Sequence, residues 1–374
     1  MPVTCFGFPP YAGWGLTDDR RAPPQEMPAT LPDLVAALLH FCRFASPYDG
    51  GEADLDLLLR HGIAVLARER RATGDIVLVE ANPLRRAALR PFLESRGSRL
   101  RSAASVKAGA RRLIGLSRGT LAVSPPDAEA ARASGHRVLL LDDGPAARLG
   151  LTDPCPVPGL MIGDPADLAM DLASADLDPA SQAEAVRLID RLRLAASASE
   201  AATSAAPARI RLLVPVEPDL APAERRRLLA AARAAHPDAW IIQAGPAAAA
   251  EPDTGADRLT APIPAGPLQG VDRLFVRESA LGLIGLMQGL PVETIGDAFY
   301  AGWGLTVDHR PPTRPRALSL VELVAGCLLV CPAFIDPGSG LPCDFRTAQA
   351  ATVRAKTEKS PISARRWRLF RRRN

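Results

Sequence analysis

The sequence predicts an α/β protein made of two lobes and ending in a helical tail. From residue 54 onward, helix-like and strand-like segments alternate, which is typical of parallel sheets covered by helices. Residues 195–208 are almost all alanine, serine and threonine, and they divide the alternating region in two. With 374 residues and 47% hydrophobic content, the chain can give each part its own core. We therefore expect two Rossmann-like lobes joined by a linker.

The first lobe is assigned to residues 54–194. Its helices are predicted from apolar positions that recur every three or four residues, and its strands from short apolar runs. Each strand-helix-strand step favours a parallel, right-handed connection. The predicted helices are residues 57–72, 84–96, 127–134 and 179–194, and the predicted strands are residues 75–80, 120–123 and 137–141.

The second lobe is assigned to residues 209–300 and follows the linker at 195–208. Ligands of such folds usually lie at the carboxyl ends of the strands, so we expect a binding cleft between the two sheets. The predicted strands are residues 210–214, 239–243, 273–276 and 292–295, and the predicted helices are residues 221–235 and 279–288.

A heptapeptide, Tyr-Ala-Gly-Trp-Gly-Leu-Thr, occurs twice, at residues 11–17 and 300–306. The match continues at a constant offset of 289 as far as Leu-Val-Ala at residues 34–36 and 323–325. Such a repeat indicates two copies of one structural unit. We interpret residues 1–53 as the closing part of a first module and residues 301–353 as the signature motif and closing helix of a second. The chain is thus expected to open at the end of a module.

Charge and cysteine content exclude several classes of protein. Net charge is +4, but residues 354–374 hold nine basic residues and one acidic one, so the remainder carries about −4. This argues against a broad nucleic-acid-binding face. The basic tail, interleaved with Trp367 and Phe370, suits either contact with an anionic membrane surface or a solvated end, with another acidic partner as a third reading.

No signal peptide or membrane-spanning run is apparent, and the six scattered cysteines fit a reducing cytoplasm. Cys327 and Cys331 lie four residues apart on a predicted helix, where two thiols without further ligands are expected only to pack. We predict no metal site and no cofactor. The expected location is the cytoplasm, with the tail as a contact to the inner membrane.

The heptapeptide itself allows two interpretations. Two glycines around a tryptophan let the backbone approach a neighbour closely, while the indole offers a large apolar face with one donor. The segment is suited to lining a sugar or base site, and equally to pinning the end of a module. Its candidate functional residues are Tyr300, Gly302, Trp303, Gly304, Thr306 and, just after it, Asp308.

Residues 296–308 resemble the signature of the bacterial capsular polysaccharide β-Kdo transferases, the KpsC family. That resemblance implies a GT-B-like glycosyltransferase fold, two modules in tandem, and retaining transfer of Kdo from CMP-Kdo to a Kdo-glycolipid acceptor at the cytoplasmic face of the inner membrane. It would place the chain in capsule polysaccharide biosynthesis and export. Further stretches similar to the family are residues 84–93, 142–144, 213–217, 236–242, 318–336 and 341–343.

The chain departs from the family pattern where the donor is expected to bind. Residues 244–247 are Ala-Gly-Pro-Ala where the family has Lys-Pro-His-Pro, and Arg277 and Glu278 replace a His-Thr pair. Removing such groups typically costs orders of magnitude in rate. We therefore expect an impaired donor site.

A retaining transfer needs a carboxylate nucleophile and a proton donor near the sugar. The catalytic candidates are Asp143, Asp142 and Glu217, with Asp219 beside them, and the alternative for the aspartate pair is an ordinary turn at a strand end. Ser279 and Gly144 are the donor-binding candidates implied by the resemblance.

Three functional hypotheses remain open. The chain is an active Kdo transferase, a non-catalytic binding or scaffold paralogue of capsule assembly, or a fragment of a two-module transferase. Turnover with CMP-Kdo separates the first hypothesis from the other two.

Overall fold

The computed structural model describes residues 4–5, 18–19, 30–33, 35–36, 43–115, 119–143, 159–163, 165–175, 177–200, 209–217, 220–245, 255–260, 263 and 268–357. The chain divides into two compact units, Met1–Gly62 and Ile63–Asn374. The first heptapeptide, residues 201–208 of the predicted linker, and residues 358–374 of the basic tail lie outside the described residues. No helix within the described ranges is long and apolar enough to cross a bilayer.

The first unit contains two small sheets. Strands β1 (Thr4–Cys5) and β2 (Asp18–Asp19) pair in parallel, and β3 (Phe44–Ala45) forms an antiparallel hairpin with β4 (Glu52–Ala53). Helix α1 (Leu55–Arg71) begins directly after this hairpin and continues into the second unit.

The hairpin turn depends on Gly50, whose φ of 73° is in the left-handed region that favours glycine. The Ser46 amide donates to the Gly51 carbonyl at 2.7 Å across the turn. After the hairpin, the Asp54 carboxylate accepts the Leu57 amide at 2.7 Å, and this bond satisfies one of the free amides at the start of α1.

The N-terminal lobe of the second unit is built on a five-stranded sheet in which β5 is flanked by helices on both faces. Ile76 and Leu78 pack with one set of core residues, while the alternate positions Val77 and Val79 pack with another. This alternation is what a strand buried on both faces requires. In spatial order the strands are β6 (Ser98–Ala103), β5 (Gly74–Val79), β7 (Thr120–Val123), β8 (Arg137–Asp143) and the antiparallel β9 (Leu160–Ile162).

Helices α2 to α5 surround this sheet. Helix α2 begins at Pro83 and is capped by Asn82, whose side chain accepts the Leu84 and Arg85 amides. It ends at Leu93, earlier than predicted, because Glu94 adopts an extended backbone. The helices are α2 (Pro83–Leu93), α3 (Val106–Arg112), α4 (Ala128–Ala133) and α5 (Pro165–Ser174).

Helix α6 (Pro179–Glu200) links the two lobes. It packs against helices of the C-terminal lobe, and the Arg193 side chain donates to the Met287 carbonyl at 3.1 Å. Residues 195–200, assigned to the linker from sequence, are helical. Alanine is the strongest helix former, and this explains why the alanine-rich stretch extends the helix instead of ending it.

The C-terminal lobe contains a six-stranded, fully parallel sheet. Its helices are α7 (Pro222–Ala235) and α8 (Leu281–Gln288), and all but the ends of α8 are buried. In spatial order the strands are β12 (Arg258–Thr260), β11 (Trp240–Ala244), β10 (Arg211–Pro215), β13 (Arg273–Val276), β14 (Val292–Thr294) and β15 (Val307–Asp308).

After this sheet the chain returns to the N-terminal lobe. Helix α9 (Leu320–Ala325) continues into a π-helical turn, and the next segment bridges β9, since Ala333 and Leu160 exchange two backbone hydrogen bonds of 2.8 and 3.0 Å. Strands β16 (Phe334–Ile335) and β17 (Pro342–Cys343) form a hairpin, and helix α10 (Phe345–Thr357) follows. The predicted α/β class with two Rossmann-like lobes is confirmed.

Candidate active site in the inter-lobe cavity

A cavity of about 720 Å³ lies between the N-terminal and C-terminal lobes, at the carboxyl end of β8. Carboxylates from both lobes line it, with apolar side chains of α5 and of the π-helical turn after α9 around them. This is the cleft position expected for a ligand of two facing α/β lobes. The carboxylates are Asp142 and Asp143 from the N-terminal lobe and Glu278 and Asp297 from the C-terminal lobe.

Asp142 and Asp143 are the last residues of β8, so the predicted aspartate pair does lie in the cavity. Asp143 is held by Arg85 of α2, whose two terminal nitrogens lie 3.1 and 3.4 Å from its carboxylate oxygens. The same guanidinium approaches Glu80 at 3.3 Å and is only 13% exposed. Arg85 therefore neutralises charge at the cavity wall and fixes the orientation of the Asp143 carboxylate.

Glu278 and Asp297 were missed as site residues by the sequence reasoning. Glu278 precedes Ser279 at the end of β13 and stands where the KpsC family has threonine, so the substitution was interpreted only as a loss. Its carboxylate oxygen Oε1 lies 3.3 Å from Nη2 of the neighbouring Arg277. The substitution also adds a carboxylate to the C-terminal wall of the cavity.

The donor-binding candidate Ser279 and the catalytic candidate Glu217 are not among the described residues that line the cavity. Ser279 is engaged locally: its carbonyl accepts the Tyr300 hydroxyl at 2.6 Å, and its own hydroxyl accepts the Leu281 amide at 3.4 Å. Glu217 follows β10, and both of its carboxylate oxygens are shielded from solvent. Their catalytic and donor-binding roles stay predictions.

Some predicted positions fall in parts of the chain that the structure does not describe. Gly144, Asp219 and residues 246–247 lie outside the described residues. Of the segment that replaces Lys-Pro-His-Pro, Ala244 is buried at the end of β11, and the Gly245 amide donates to the Thr260 carbonyl at 3.2 Å.

The second heptapeptide forms a tightly packed turn beside the cavity. Tyr300 is fully buried, and burial, with smaller contributions from Glu217, Glu278 and Asp308, raises the pKa of its phenol well above the usual value. The buried Trp303 lines the cavity, and its indole nitrogen donates to the Phe299 carbonyl at 2.9 Å. Both large side chains of the motif therefore have their polar atoms satisfied within the protein.

Asp308 holds the polar part of the same turn together. Its carboxylate accepts the Gly302 amide at 2.9 Å and the Thr306 hydroxyl at 2.6 Å. Gly302 and Gly304 have φ values of 80° and 84°. The glycines permit the left-handed turns, and Asp308 ties the loop to β15.

Arg314 was also missed by the sequence reasoning, although it lines the cavity. Its guanidinium lies 5.0 Å from the centre of the Trp303 ring and donates to the carbonyls of Ala301 and Ala298. The position 289 residues earlier, in the first copy of the repeat, is Gln25. That difference between two otherwise similar copies was the available sequence signal.

No cluster of histidine, cysteine and carboxylate side chains within the described parts of the chain could hold a metal ion. Cys327 and Cys331 line the apolar side of the cavity. Burial raises the pKa of both thiols, that of Cys331 to about 12, so they remain protonated at neutral pH. Two buried, protonated thiols here serve as apolar wall.

Comparison with known proteins supports the resemblance found in the sequence. A family model described as capsule polysaccharide biosynthesis protein matches residues 264–319. The capsule polysaccharide modification protein LipA of Neisseria meningitidis serogroup A is 28% identical and its serogroup B counterpart 27%, each over 95% of this chain and 57% of the relative. The chain therefore spans a little over half the length of these curated relatives. The lipopolysaccharide-processing protein LpsZ of Rhizobium meliloti is 40% identical over 18% of the chain and 16% of its own length.

Two solved structures from Thermosulfurimonas dismutans share the fold. KpsC, beta Kdo 2,7 transferase, has a TM-score of 0.57 at 22% identity, covering 76% of this chain and 100% of that structure. KpsC, beta Kdo 2,4 transferase, has a TM-score of 0.53 at 23% identity, covering 74% and 97%. The GT-B-like arrangement expected from sequence is thus confirmed at the level of the fold.

Proposed function

We propose that this chain, a KpsC-like member of the capsule polysaccharide biosynthesis family, binds CMP-Kdo or a similar nucleotide sugar between its lobes. Its transfer of that sugar to a Kdo-glycolipid acceptor is impaired. The observation that carries the proposal is the inter-lobe cavity, in which Asp142 and Asp143 face Glu278 and Asp297 from the opposite lobe. A cavity of this volume suits a ligand of nucleotide-sugar size.

Asp143 is the proposed nucleophile for a retaining step, because its contact with Arg85 at 3.1 Å orients its carboxylate at the cavity wall. Asp142, the preceding residue, is the proposed proton donor. Impairment is proposed because Ala244, at the end of β11, stands where the family places a lysine and Pro246 stands where it places a histidine. Both family residues would stabilise the leaving phosphate.

The test combines binding and turnover. Calorimetry with CMP should detect binding, and incubation with CMP-Kdo and a β-Kdo-terminated acceptor should release CMP slowly. Asp143→Asn is expected to lower the remaining transfer at least about 100-fold with CMP affinity unchanged. Glu129→Gln, an exposed site on α4, is the control and should change neither quantity. Absence of CMP binding would overturn the proposal, and transfer insensitive to Asp143→Asn would remove the proposed nucleophile.

The lost lysine and histidine favour a second candidate, a non-catalytic binding or scaffold component of capsule assembly. The two candidates predict different behaviour in a strain lacking the gene. A scaffold restores capsule equally well as wild type or as Asp143→Asn, whereas a transferase restores it only as wild type.

We further propose that residues 1–53 are the closing part of another module. The hairpins β3–β4 and β16–β17 support this, since each turns at a left-handed glycine, Gly50 with φ 73° and Gly340 with φ 74°, and leads into a helix. Asp54 and Asp344 cap those helices in the same way, each accepting the amide three residues later. The whole relatives' activities would then require both modules, and a proteolysis experiment that releases residues 1–53 without unfolding the remainder would test the division.

Contact of the basic tail with the inner-membrane surface stays part of the proposal. Binding to vesicles containing phosphatidylglycerol should fall when residues 358–374 are deleted, and unchanged binding would exclude the tail as the contact.

A further inference from the structure

Arg314 is the only positively charged side chain among the described residues that line the inter-lobe cavity. The other charged groups that line the cavity are four carboxylates, and most of the remaining lining is apolar. The guanidinium is therefore the lining group suited to bind an anion. It belongs to the segment that follows the second heptapeptide, and no part of the retaining mechanism proposed above uses it.

Residues of the heptapeptide and just before it hold this guanidinium in place. The Arg314 Nε donates to the Ala301 carbonyl at 2.9 Å, and Nη2 donates to the Ala298 carbonyl at 3.2 Å. The guanidinium stacks on Trp303, 5.0 Å from the ring centre. A side chain at Gly302 would place its Cβ 2.9 Å from the Arg314 Cγ, so glycine is needed there for the arginine to fit. Ring, carbonyls and glycine together fix one orientation.

These contacts leave part of the guanidinium unused. Nη1 forms no hydrogen bond within the described residues, and no carboxylate of that part of the chain forms an ion pair with Arg314. The carbonyls supply only partial negative charge, and Asp297 and Asp308 act on the guanidinium only at longer range. Burying a cation without an ionic partner costs free energy, and a ligand with a negatively charged group would offset this cost by pairing with it.

In the first copy of the repeat the residue that corresponds to Arg314 is Gln25, although the heptapeptide is identical. The identical motif therefore occurs without the arginine, and the arginine occurs only in the copy that adjoins the described cavity.

We infer that Arg314 binds an oxyanion of the ligand in the inter-lobe cavity and that the heptapeptide serves to hold it there. The oxyanion is a phosphoryl group or a sugar-acid carboxylate, both of which planar guanidinium groups bind well. The inference rests on the proposed function for the identity of the ligand, but the anion site itself can be tested separately.

The experiment measures dissociation constants of CMP, free Kdo and inorganic phosphate by calorimetry at fixed ionic strength. Arg314→Gln is compared with wild type and with Arg310→Gln, an exposed arginine four residues earlier that does not line the cavity. We expect Arg314→Gln to weaken at least one of the anions about 10-fold or more and Arg310→Gln to leave all of them within twofold. Loss confined to CMP and phosphate identifies the phosphoryl group, and loss confined to Kdo identifies the carboxylate.

The outcomes separate the two proposals. Binding of all three anions that is unaffected by Arg314→Gln overturns the anion site, and CMP binding that persists leaves the proposed function standing. Phosphate binding that depends on Arg314, with no binding of CMP or Kdo, overturns the proposed function and leaves the anion site standing. If none of the three anions binds to wild type, both are wrong.

Folding is controlled by measuring the unfolding free energy of each variant without ligand. Should Arg314→Gln not fold, wild-type crystals soaked with CMP give a variant-free test. A phosphate oxygen, or a carboxylate oxygen in crystals soaked with Kdo, within hydrogen-bonding distance of the Arg314 guanidinium supports the inference, and binding of both anions away from Arg314 overturns it.

Discussion

Gly302 and Gly304 have the same left-handed backbone, but only Gly302 is closely packed. A Cβ at Gly302 would lie 2.7 Å from the Pro312 carbonyl oxygen, whereas the nearest atom to a Cβ at Gly304 is a methyl group 3.6 Å away. Their φ values are 80° and 84°, so the backbone cost of alanine is similar at both. Comparing substitutions at the two glycines therefore distinguishes the cost of a left-handed backbone from the cost of steric overlap.

We predict that Gly304→Ala lowers the free energy of unfolding by about 1 kcal/mol, the cost of a left-handed alanine. Gly302→Ala should lower it by about 2–4 kcal/mol, because overlap with backbone is added to the same strain. Urea unfolding followed by fluorescence measures both. Equal losses would mean that the turn relaxes around the new methyl group and that close packing is not the reason for glycine at 302.

For single residues, the sequence predicts which types of side chain occur at a site better than it predicts which side chains come together in the fold. Asp142 and Asp143 end a buried strand and line the cavity, since the carboxyl end of such a strand falls at the edge where ligands bind, and their catalytic roles stay predictions. Arg314 was not expected, because its position depends on carbonyls and a ring that come together only in the folded turn. Ser279 and Glu217 were expected from resemblance alone, and they stay untested as site residues.

Among the elements, helix α9 has the clearest local cause. Ser319 and Glu322 form a reciprocal capping box, in which the Ser319 hydroxyl accepts the Glu322 amide at 3.2 Å and the Glu322 carboxylate accepts the Ser319 amide at 2.7 Å. The Ser319 bonds, together with Arg316, lower the pKa of Glu322 to about 2. Because α9 packs against α6, this cap stabilises the side of the C-terminal lobe that contacts the inter-lobe helix.

We predict that Glu322→Gln lowers the unfolding free energy by about 0.5 kcal/mol at pH 7, a small value because the side chain is a third exposed. A glutamate with a lowered pKa in the folded state stabilises above its ordinary value of 4.5 and loses that stabilisation as the pH falls towards 2. The difference between wild type and variant should therefore shrink over this range. Urea titrations at pH 7, 5, 4 and 3 measure it, and a difference that is constant with pH would exclude the charge as its cause.

Elements with strong apolar periodicity were predicted within a few residues, as for β7 at Thr120–Val123 and β13 at Arg273–Val276. Strand β6 (Ser98–Ala103) was missed, because it lies at the sheet edge and alternates serine and arginine with few apolar residues. Helix α6 was ended too early for the opposite reason: its last residues are small and polar but favour the helix. A strand at a sheet edge and a helix end made of small residues lack the apolar pattern by which buried elements are recognised in a sequence.

In the second unit, the described chain crosses between the lobes in both directions. Helix α6 carries it towards the C-terminal lobe, and the segment after α9 brings it back to β9. The return segment and β9 meet at Leu160 and Ala333, and Met161 of β9 lines the cavity. The shape of the cavity therefore depends on how closely the return segment can approach the N-terminal lobe.

Gly159 sets that approach. A Cβ there would lie 2.4 Å from the Pro332 Cβ and 2.8 Å from the Phe334 ring, both rigid groups of the return segment. We predict that Gly159→Ala lowers the unfolding free energy by about 1–3 kcal/mol and also weakens CMP binding, because moving the return segment shifts β9 at the cavity wall. Gly97→Ala is the matched control, since the nearest atom to its Cβ is 3.8 Å away in an exposed turn. Unfolding and CMP affinity are measured together for both variants: a stability loss with unchanged affinity would show that the crossing supports the fold without shaping the cavity, and no loss at all would mean that the return segment is free to move.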